Sequence, residues 1–158
     1  MKHNTAQICL NGHIITENAL ASGSTKAFCP DCGKPTISHC PTCGNHIPGS
    51  TDDDEIICIG FPMELPAYCE YCGKPYPWTE SALTNAKSLI LEEEELSQLE
   101  RENLINSLPD IMTETPNTNL AIIRIKKCLV KAGKFTAEGI RQFVIDFGCE
   151  LAKKQLDL

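Results

Sequence analysis

The spacing of apolar positions changes character close to residue 78. Ahead of it, short runs such as "HIIT" (13–16), "PTIS" (35–38) and "EIICIGF" (55–61) alternate with Pro and Gly punctuation, which predicts small hairpins rather than helices. Beyond it the period becomes helical. Thr79 is placed to cap a helix through "ESALTNAKSLILEEEEL", with Trp78 positioned to staple that helix to the segment before it. "SQLE" at 97–100 is a Ser-x-x-Glu capping box, predicting a second helix that stops at Pro109. Thr115-Pro116 reads as an N-cap with proline at the first helical position, and Gly133 as the end of that third helix. A fourth helix restarts at Thr136, where Ile140, Phe143, Val144, Phe147 and Leu151 stand at offsets of three, four, seven and eleven and make one apolar stripe.

The short runs of the first half are too small to bury a core, and its cysteines change the picture. Seven of the ten cysteines fall, with His13, into four close pairs: Cys9/His13 in "CLNGH", Cys29/Cys32 in "CPDCGK", Cys40/Cys43 in "CPTCGN" and Cys69/Cys72 in "CEYCGK". Gly33, Gly44 and Gly73 follow the second Cys of the last three pairs, where a tight turn calls for positive φ. A Cys-x-x-Cys turn presents two sulfurs on one side, and two such turns facing each other complete the tetrahedron that zinc prefers. Eight donors therefore predict two Zn2+ ions held by Cys9, His13, Cys29, Cys32, Cys40, Cys43, Cys69 and Cys72. Cys9/His13 is the weakest pair taken alone, but the other three leave one metal two ligands short.

Which pairs share a metal is a question of reach. The seven residues between Cys32 and Cys40 span roughly 23 Å when extended, at about 3.3 Å per residue, enough to carry the chain from one metal to another. This favours a sequential arrangement, with Cys9, His13, Cys29 and Cys32 on one ion and Cys40, Cys43, Cys69 and Cys72 on the other. A nested arrangement, in which Cys29/Cys32 and Cys40/Cys43 share one ion, and a cross-brace use the same eight residues. In each case the expected fold class is α+β: a small metal-bound β region of two zinc-ribbon-like knuckle pairs over residues 1–78, followed by a small α-helical bundle over residues 79–158.

Length and charge narrow the function. The 158 residues suffice for one domain or two small ones, and the first residues lack the apolar core and cleavage site of a secretory signal. No apolar stretch is long enough to span a bilayer. The chain thus reads as soluble and cytoplasmic, where thiols stay reduced and many cysteines argue for metal rather than disulfides. The net charge of −7 is unevenly spread: residues 79–115 carry two basic and nine acidic side chains, residues 116–158 eight basic and four acidic. An acidic chain is a poor general binder of nucleic acid, although a local basic face can still track phosphates. Arg124, Lys127, Lys131 and Lys134 form such a stripe, flanked by Lys126 and Arg141. The competing expectation is that the stripe pairs with Glu92 to Glu95.

Two closed four-ligand sites leave no position for a reacting water, so the chain is expected not to be an enzyme. No His-Glu-x-x-His, zinc-deaminase signature, phosphate loop or thioredoxin-like βαβ pattern is present, and Glu138, Asp146 and Glu150 read as surface carboxylates. Cys58, Cys128 and Cys149 read as packing residues; His39 abuts Cys40 too closely to chelate with it, and His46 is a substitute-ligand candidate. Rigid metal knuckles present loops well, so the leading expectation is a protein-interaction adaptor with an unidentified protein partner. Tyr68, Tyr71, Tyr76 and Trp78 are the candidate contact residues, Trp78 reading better as interior packing. Nucleic-acid binding through the basic stripe is the alternative.

The segments "ICLNGHIIT", "FCPDCGKPTISHCPTCGNHIPG" and "AYCEYCGKPYPWTESAL", followed by a helical tail, resemble an uncharacterised bacterial family of about this length, known as a domain of unknown function with zinc-ribbon knuckles. The likeness runs through nearly the whole chain and is most specific in "CPTCGNHIPG" and "YCGKPYPWTE". It implies zinc ribbons with a helical C-terminal region in a cytoplasmic protein, and it brings no activity. Where members of that family often carry a Gly-rich link before the last knuckle, this chain has the acidic "STDDDEIICIGFPMELP".

Overall fold

In the computed structural model, which describes residues 3–21, 23–51 and 63–158, the chain is α+β and divides into two compact units, Met1–Ser81 and Ala82–Leu158. The first unit is built around one strand. Strand β2 (Gln7–Cys9) follows β1 (His3–Thr5) and is the centre of a three-stranded antiparallel sheet, between β3 (Ile14–Thr16) and β4 (Thr36–Ile37). β1 pairs separately with β5 (Pro48–Thr51). "HIIT" and "PTIS" thus supply β3 and β4 as the pattern predicts, whereas β1 and β5 have no apolar alternation to announce them. The run "EIICIGF", with Cys58, lies outside the described residues.

Among the described residues this unit buries Ala6, Ile8, Ile47, Tyr76 and Trp78 together with the cysteines Cys9, Cys29, Cys40 and Cys69. One buried polar side chain of the sheet is tied down at both ends of its amide. Gln7, buried on β2, donates from Nε2 to Thr36 Oγ1 at 3.0 Å and accepts the Lys26 N–H at 2.9 Å.

The helices start and stop where burial and capping direct them, which is not always where sequence signals point. α1 (Pro77–Glu92) begins three residues before the expected first helical residue, Glu80. Thr79 is not its cap: its side chain is buried and its hydroxyl makes no hydrogen bond. Proline at the first helical position is a natural start, because its missing N–H has no helical partner to lose. α2 (Gln98–Met112) opens with the expected capping box, Ser97 Oγ accepting the Glu100 N–H and Glu100 Oε2 accepting the Ser97 N–H. It runs through Pro109 rather than stopping there, and the continuation buries Ile111 and Met112.

α3 (Thr118–Lys131) starts later than Thr115-Pro116 indicates. Thr115 Oγ1 donates to Asp110 at 2.7 Å and accepts the Asn117 N–H, so the residue organises the turn before the helix instead of capping it. α4 (Lys134–Phe147) begins two residues before Thr136, with Gly133 in the N-cap position. The apolar stripe is buried at Ile140, Phe143 and Val144, but the chain breaks at Gly148 and Cys149 before α5 (Glu150–Gln155) carries Leu151. A Cβ on Gly148 would lie 2.4 Å from the Val144 carbonyl oxygen, so this break needs glycine. Leu104, Leu108, Ile111, Ile122, Ile125, Ile140 and Val144 form the core of the helical unit.

Candidate metal centres

Three Cys-x-x-Cys-Gly segments fold into the same turn. In each, the N–H of the first Cys donates to a carbonyl five residues on: Cys29 to Lys34 at 2.8 Å, Cys40 to Asn45 at 2.7 Å and Cys69 to Lys74 at 2.9 Å. The glycine N–H returns to the carbonyl of that first Cys at 2.8 Å each time. Gly33, Gly44 and Gly73 have φ of 70°, 75° and 70°, the left-handed region where glycine is unstrained. Cys9/His13 makes a shorter variant on the β2–β3 hairpin: Gly12 N–H reaches the Cys9 carbonyl at 2.9 Å, and the His13 N–H points at Cys9 Sγ at 3.3 Å.

These turns bring the eight residues together as two groups of four. Cys9, His13, Cys29 and Cys32 form one, Cys40, Cys43, Cys69 and Cys72 the other, with all donor atoms of each group within 4.8 Å of one another. The grouping is the sequential one. Cys9 Sγ lies 3.7 Å from Cys32 Sγ, and His13 Nδ1 lies 3.4 Å from Cys9 Sγ and 3.5 Å from Cys29 Sγ. In the second group Cys40 Sγ lies 3.8 Å from Cys72 Sγ and Cys43 Sγ 3.7 Å from Cys69 Sγ. A tetrahedral ion with sulfur at ~2.3 Å and nitrogen at ~2.0 Å places sulfurs ~3.8 Å apart and sulfur from nitrogen ~3.5 Å. Both clusters could therefore hold a metal ion, and no disulfide joins their cysteines.

Ionisation within the clusters is uneven, for identifiable reasons. In the first, burial pushes the Cys9 thiol up, while the Lys34 N–H holds Cys32 below its usual value. In the second, the N–H and side-chain amide of Asn45 lower Cys43, the side-chain bond to Cys43 Sγ measuring 3.3 Å. Burial opposes ionisation of Cys69, but the N–H groups of Cys72 and Tyr71 and the neighbouring thiols bring it down to about 6. Cys72 receives the Lys74 N–H, yet burial and the three surrounding sulfurs push it up to about 11. Four crowded thiols resist joint ionisation, and a divalent cation is the charge that reverses this.

The remaining candidates are placed as follows. His46 is in neither cluster; its ring lies 5.6 Å from that of Tyr71. His39 is exposed. Cys128 is buried, and burial together with the Glu93 charge pushes its thiol up to about 11; Cys149 is half-buried, its N–H on the Ile111 carbonyl. Among the aromatic residues, Tyr76 and Trp78 are interior, Trp78 Nε1 donating to the Pro66 carbonyl at 2.8 Å; Tyr68 is half-buried and Tyr71 exposed.

The basic stripe is partly engaged inside its own unit. Arg124 donates to Ser107 Oγ at 2.8 Å and to the Asn103 carbonyl at 3.3 Å, and Lys131 pairs with Glu100 at 2.8 Å. Lys127 and Lys134 are exposed. The acid that meets Lys131 is thus on α2 and not in the run Glu92 to Glu95. Glu138 and Glu150 face Arg141 and Lys153 on their own helices, and Asp146 accepts from Gln142. Asn45, which touches Cys43 directly, carried no sequence signal beyond its place after the knuckle glycine.

Over residues 2–156 the sequence matches the pattern of a family described as an uncharacterized protein conserved in bacteria, DUF2321. No curated protein and no solved structure matches the chain. No helix among the described residues is long and apolar enough to cross a membrane.

Proposed function

We propose that this chain, which belongs to the bacterial family DUF2321, is a non-enzymatic protein-interaction module whose amino-terminal unit is held together by two structural zinc ions. The observation that carries the reading is the pair of closed four-donor clusters, one of three thiols and an imidazole and one of four thiols. Zinc is the ion that suits these donors, since thiolate and imidazole match its borderline softness and carboxylates are absent from both sets. Bound there, it would cross-link knuckles that are otherwise joined by strands of two to four residues.

Four protein donors per ion favour a structural role over catalysis, because a catalytic zinc keeps a position for water. A reducing, cytoplasmic setting goes with the same reading, as it keeps the thiols available. The interaction role is supported by the aromatic side chains the knuckles turn outward: Phe28 is 63% and Tyr71 50% exposed. Exposed aromatics on a rigid turn are suited to anchoring a partner. Tyr76 and Trp78, being interior, do not belong to that surface.

Metal analysis of the full chain purified under reducing conditions tests the first part. Two zinc ions per chain, lost to a strong chelator together with the structure of the amino-terminal unit, are expected; fewer ions, or a unit unchanged without them, would overturn it. The second part is tested by affinity capture from a bacterial host with the zinc-loaded chain and its Phe28→Ala and Tyr71→Ala variants. A stoichiometric partner that the variants lose supports it, and recovery of none overturns it.

A further inference from the structure

One end of the helical unit gathers apolar side chains and charges that nothing among the described residues covers. The turn from α1 to α2 meets the turn from α3 to α4 there, with Glu93 accepting the Gly133 N–H and Lys131 pairing with Glu100. Beside the second turn, Val130 is 89% and Phe135 90% exposed; Leu91 and Leu99, at the end of α1 and the start of α2, are 58% and 66% exposed. Single exposed apolar residues are ordinary, but four flanking the two turns of one bundle end make a patch. Charges lie among them. Glu94 and Glu95 stand on the first turn, Lys127 and Lys134 beside the second; all four are exposed, and none enters an ion pair among the described residues.

We propose that this end of the helical unit docks a second copy of the chain, in a two-fold dimer where the acidic turn of each protomer faces the basic turn of the other. The charge pattern selects the partner. An anionic membrane or a nucleic acid carries one sign of charge, and phosphates drawn to Lys127 and Lys134 would meet Glu94 and Glu95 on the neighbouring turn. A surface with both signs side by side is instead complementary to its own copy, because a two-fold rotation exchanges the two turns. Both contacts then form at once, and association closes at two copies. Leu91, Leu99, Val130 and Phe135 would supply the apolar centre of the contact and the charges its rim, the usual division of an interface. The inference uses the helical unit alone and is independent of the metal reading.

Sedimentation velocity on the full chain, over a range of concentrations, is the test. A species of twice the 17.4 kDa of one chain is expected, and added salt should weaken it. Phe135→Asp is expected to raise the dissociation constant about tenfold or more, with helical circular dichroism unchanged because the ring lies on the surface. Two charge variants then read which turns face each other. Lys127→Glu with Lys134→Glu makes both turns acidic, and Glu94→Lys with Glu95→Lys makes both basic; each is expected to be monomeric alone and to form a mixed dimer with the other. A wild-type chain that stays monomeric at high concentration overturns the proposal, and binding of that monomer to phosphatidylglycerol vesicles would assign the surface to lipid instead. A dimer that Phe135→Asp leaves intact, or folded charge variants that do not combine, overturn it too.

Discussion

Glu93 Oε2 accepts the backbone N–H of Gly133 at 2.9 Å, forty residues further along the chain. The same carboxylate accepts the Glu95 N–H at 3.0 Å through Oε1 and meets the Thr136 hydroxyl, while the Glu93 carbonyl accepts Arg101 Nε at 2.8 Å. One acidic residue therefore supplies the N-terminal cap that α4 lacks from its own Gly133, and ties the end of α1 to α2. The Glu95 N–H, then the Thr136 hydroxyl, hold its carboxyl below the usual carboxylate range.

Replacing Glu93 should accordingly loosen the helical unit. Glu93→Ala removes an acceptor for two backbone N–H groups and is expected to lower the Tm of that unit by roughly 4–8 °C, the effect of one lost cap in a domain of this size. Glu93→Gln keeps an acceptor oxygen and should fall between the two. Thermal unfolding followed by helical circular dichroism checks this; equal Tm for all three proteins would show that the cap carries no weight.

Glycines in the first unit separate two kinds of constraint. At Gly73 an added Cβ meets nothing within 4 Å, so Gly73→Ala carries only the cost of a left-handed residue, about 1–2 kcal/mol. At Gly49 the Cβ would lie 2.0 Å from the Glu17 carbonyl oxygen and 3.0 Å from the Ala6 nitrogen, both backbone atoms. Gly49→Ala must therefore shift the β1–β5 pair and should be the more damaging change. Chelator titration of the two zinc-loaded variants gives the comparison: the Gly73 variant is expected to release metal later than the Gly49 variant.

The two Cys/His clusters were legible because a Cys-x-x-Cys-Gly turn is a local object: pairs, glycine and spacing all lie within five residues. Reach between Cys32 and Cys40 then favoured the grouping found. Glu93 was not legible, since nothing in "EEEE" says which carboxylate turns inward toward backbone N–H groups, and its partner Gly133 is remote. Helix boundaries failed where one signal outweighed another. Pro77 marked the start of α1 better than Thr79 did, and Pro109 did not stop α2: its missing N–H and the crowding of its ring against the Ile105 carbonyl are offset because Ile111 and Met112 have a core to enter. The stripe from Ile140 to Leu151 gave no hint of the break at Gly148, as apolar spacing continues across it.

The ion pair of Glu100 and Lys131 carries a pH dependence of definite sign. Lys131, and then the Ser97 N–H, bring the Glu100 carboxyl down to about 2. Because the folded value is depressed, the contribution is complete above the unfolded value near 4.5 and is lost as pH falls toward 2. Carboxyl-resolved NMR titration should place Glu100 among the most acidic groups of the chain. Lys131→Met is expected to raise its midpoint, and an unchanged midpoint would show that the ammonium is not the cause. Both side chains are more than two-fifths exposed, so added salt should weaken the effect.

The grouping of ligands can be read out without a structure, by counting metal in double variants. Cys9 Sγ and Cys32 Sγ, 3.7 Å apart, belong to one cluster, and Cys40 Sγ and Cys72 Sγ, 3.8 Å apart, to the other. Cys9→Ser with Cys32→Ser disables one cluster twice, so the chain should keep one ion that resists a moderate chelator. Cys40→Ser with Cys72→Ser should likewise keep one. Cys32→Ser with Cys40→Ser cripples both clusters and should keep none. A nested arrangement reverses that last outcome, because there the two residues share an ion and the other ion survives. Nested and cross-brace arrangements both empty the Cys9, Cys32 and the Cys40, Cys72 double variants, since each change would then strike a different ion, and a cross-brace empties the Cys32, Cys40 variant as well. Metal content per chain after gel filtration thus distinguishes the three arrangements, and only one pattern of counts agrees with sulfur positions that match a tetrahedron edge in both clusters.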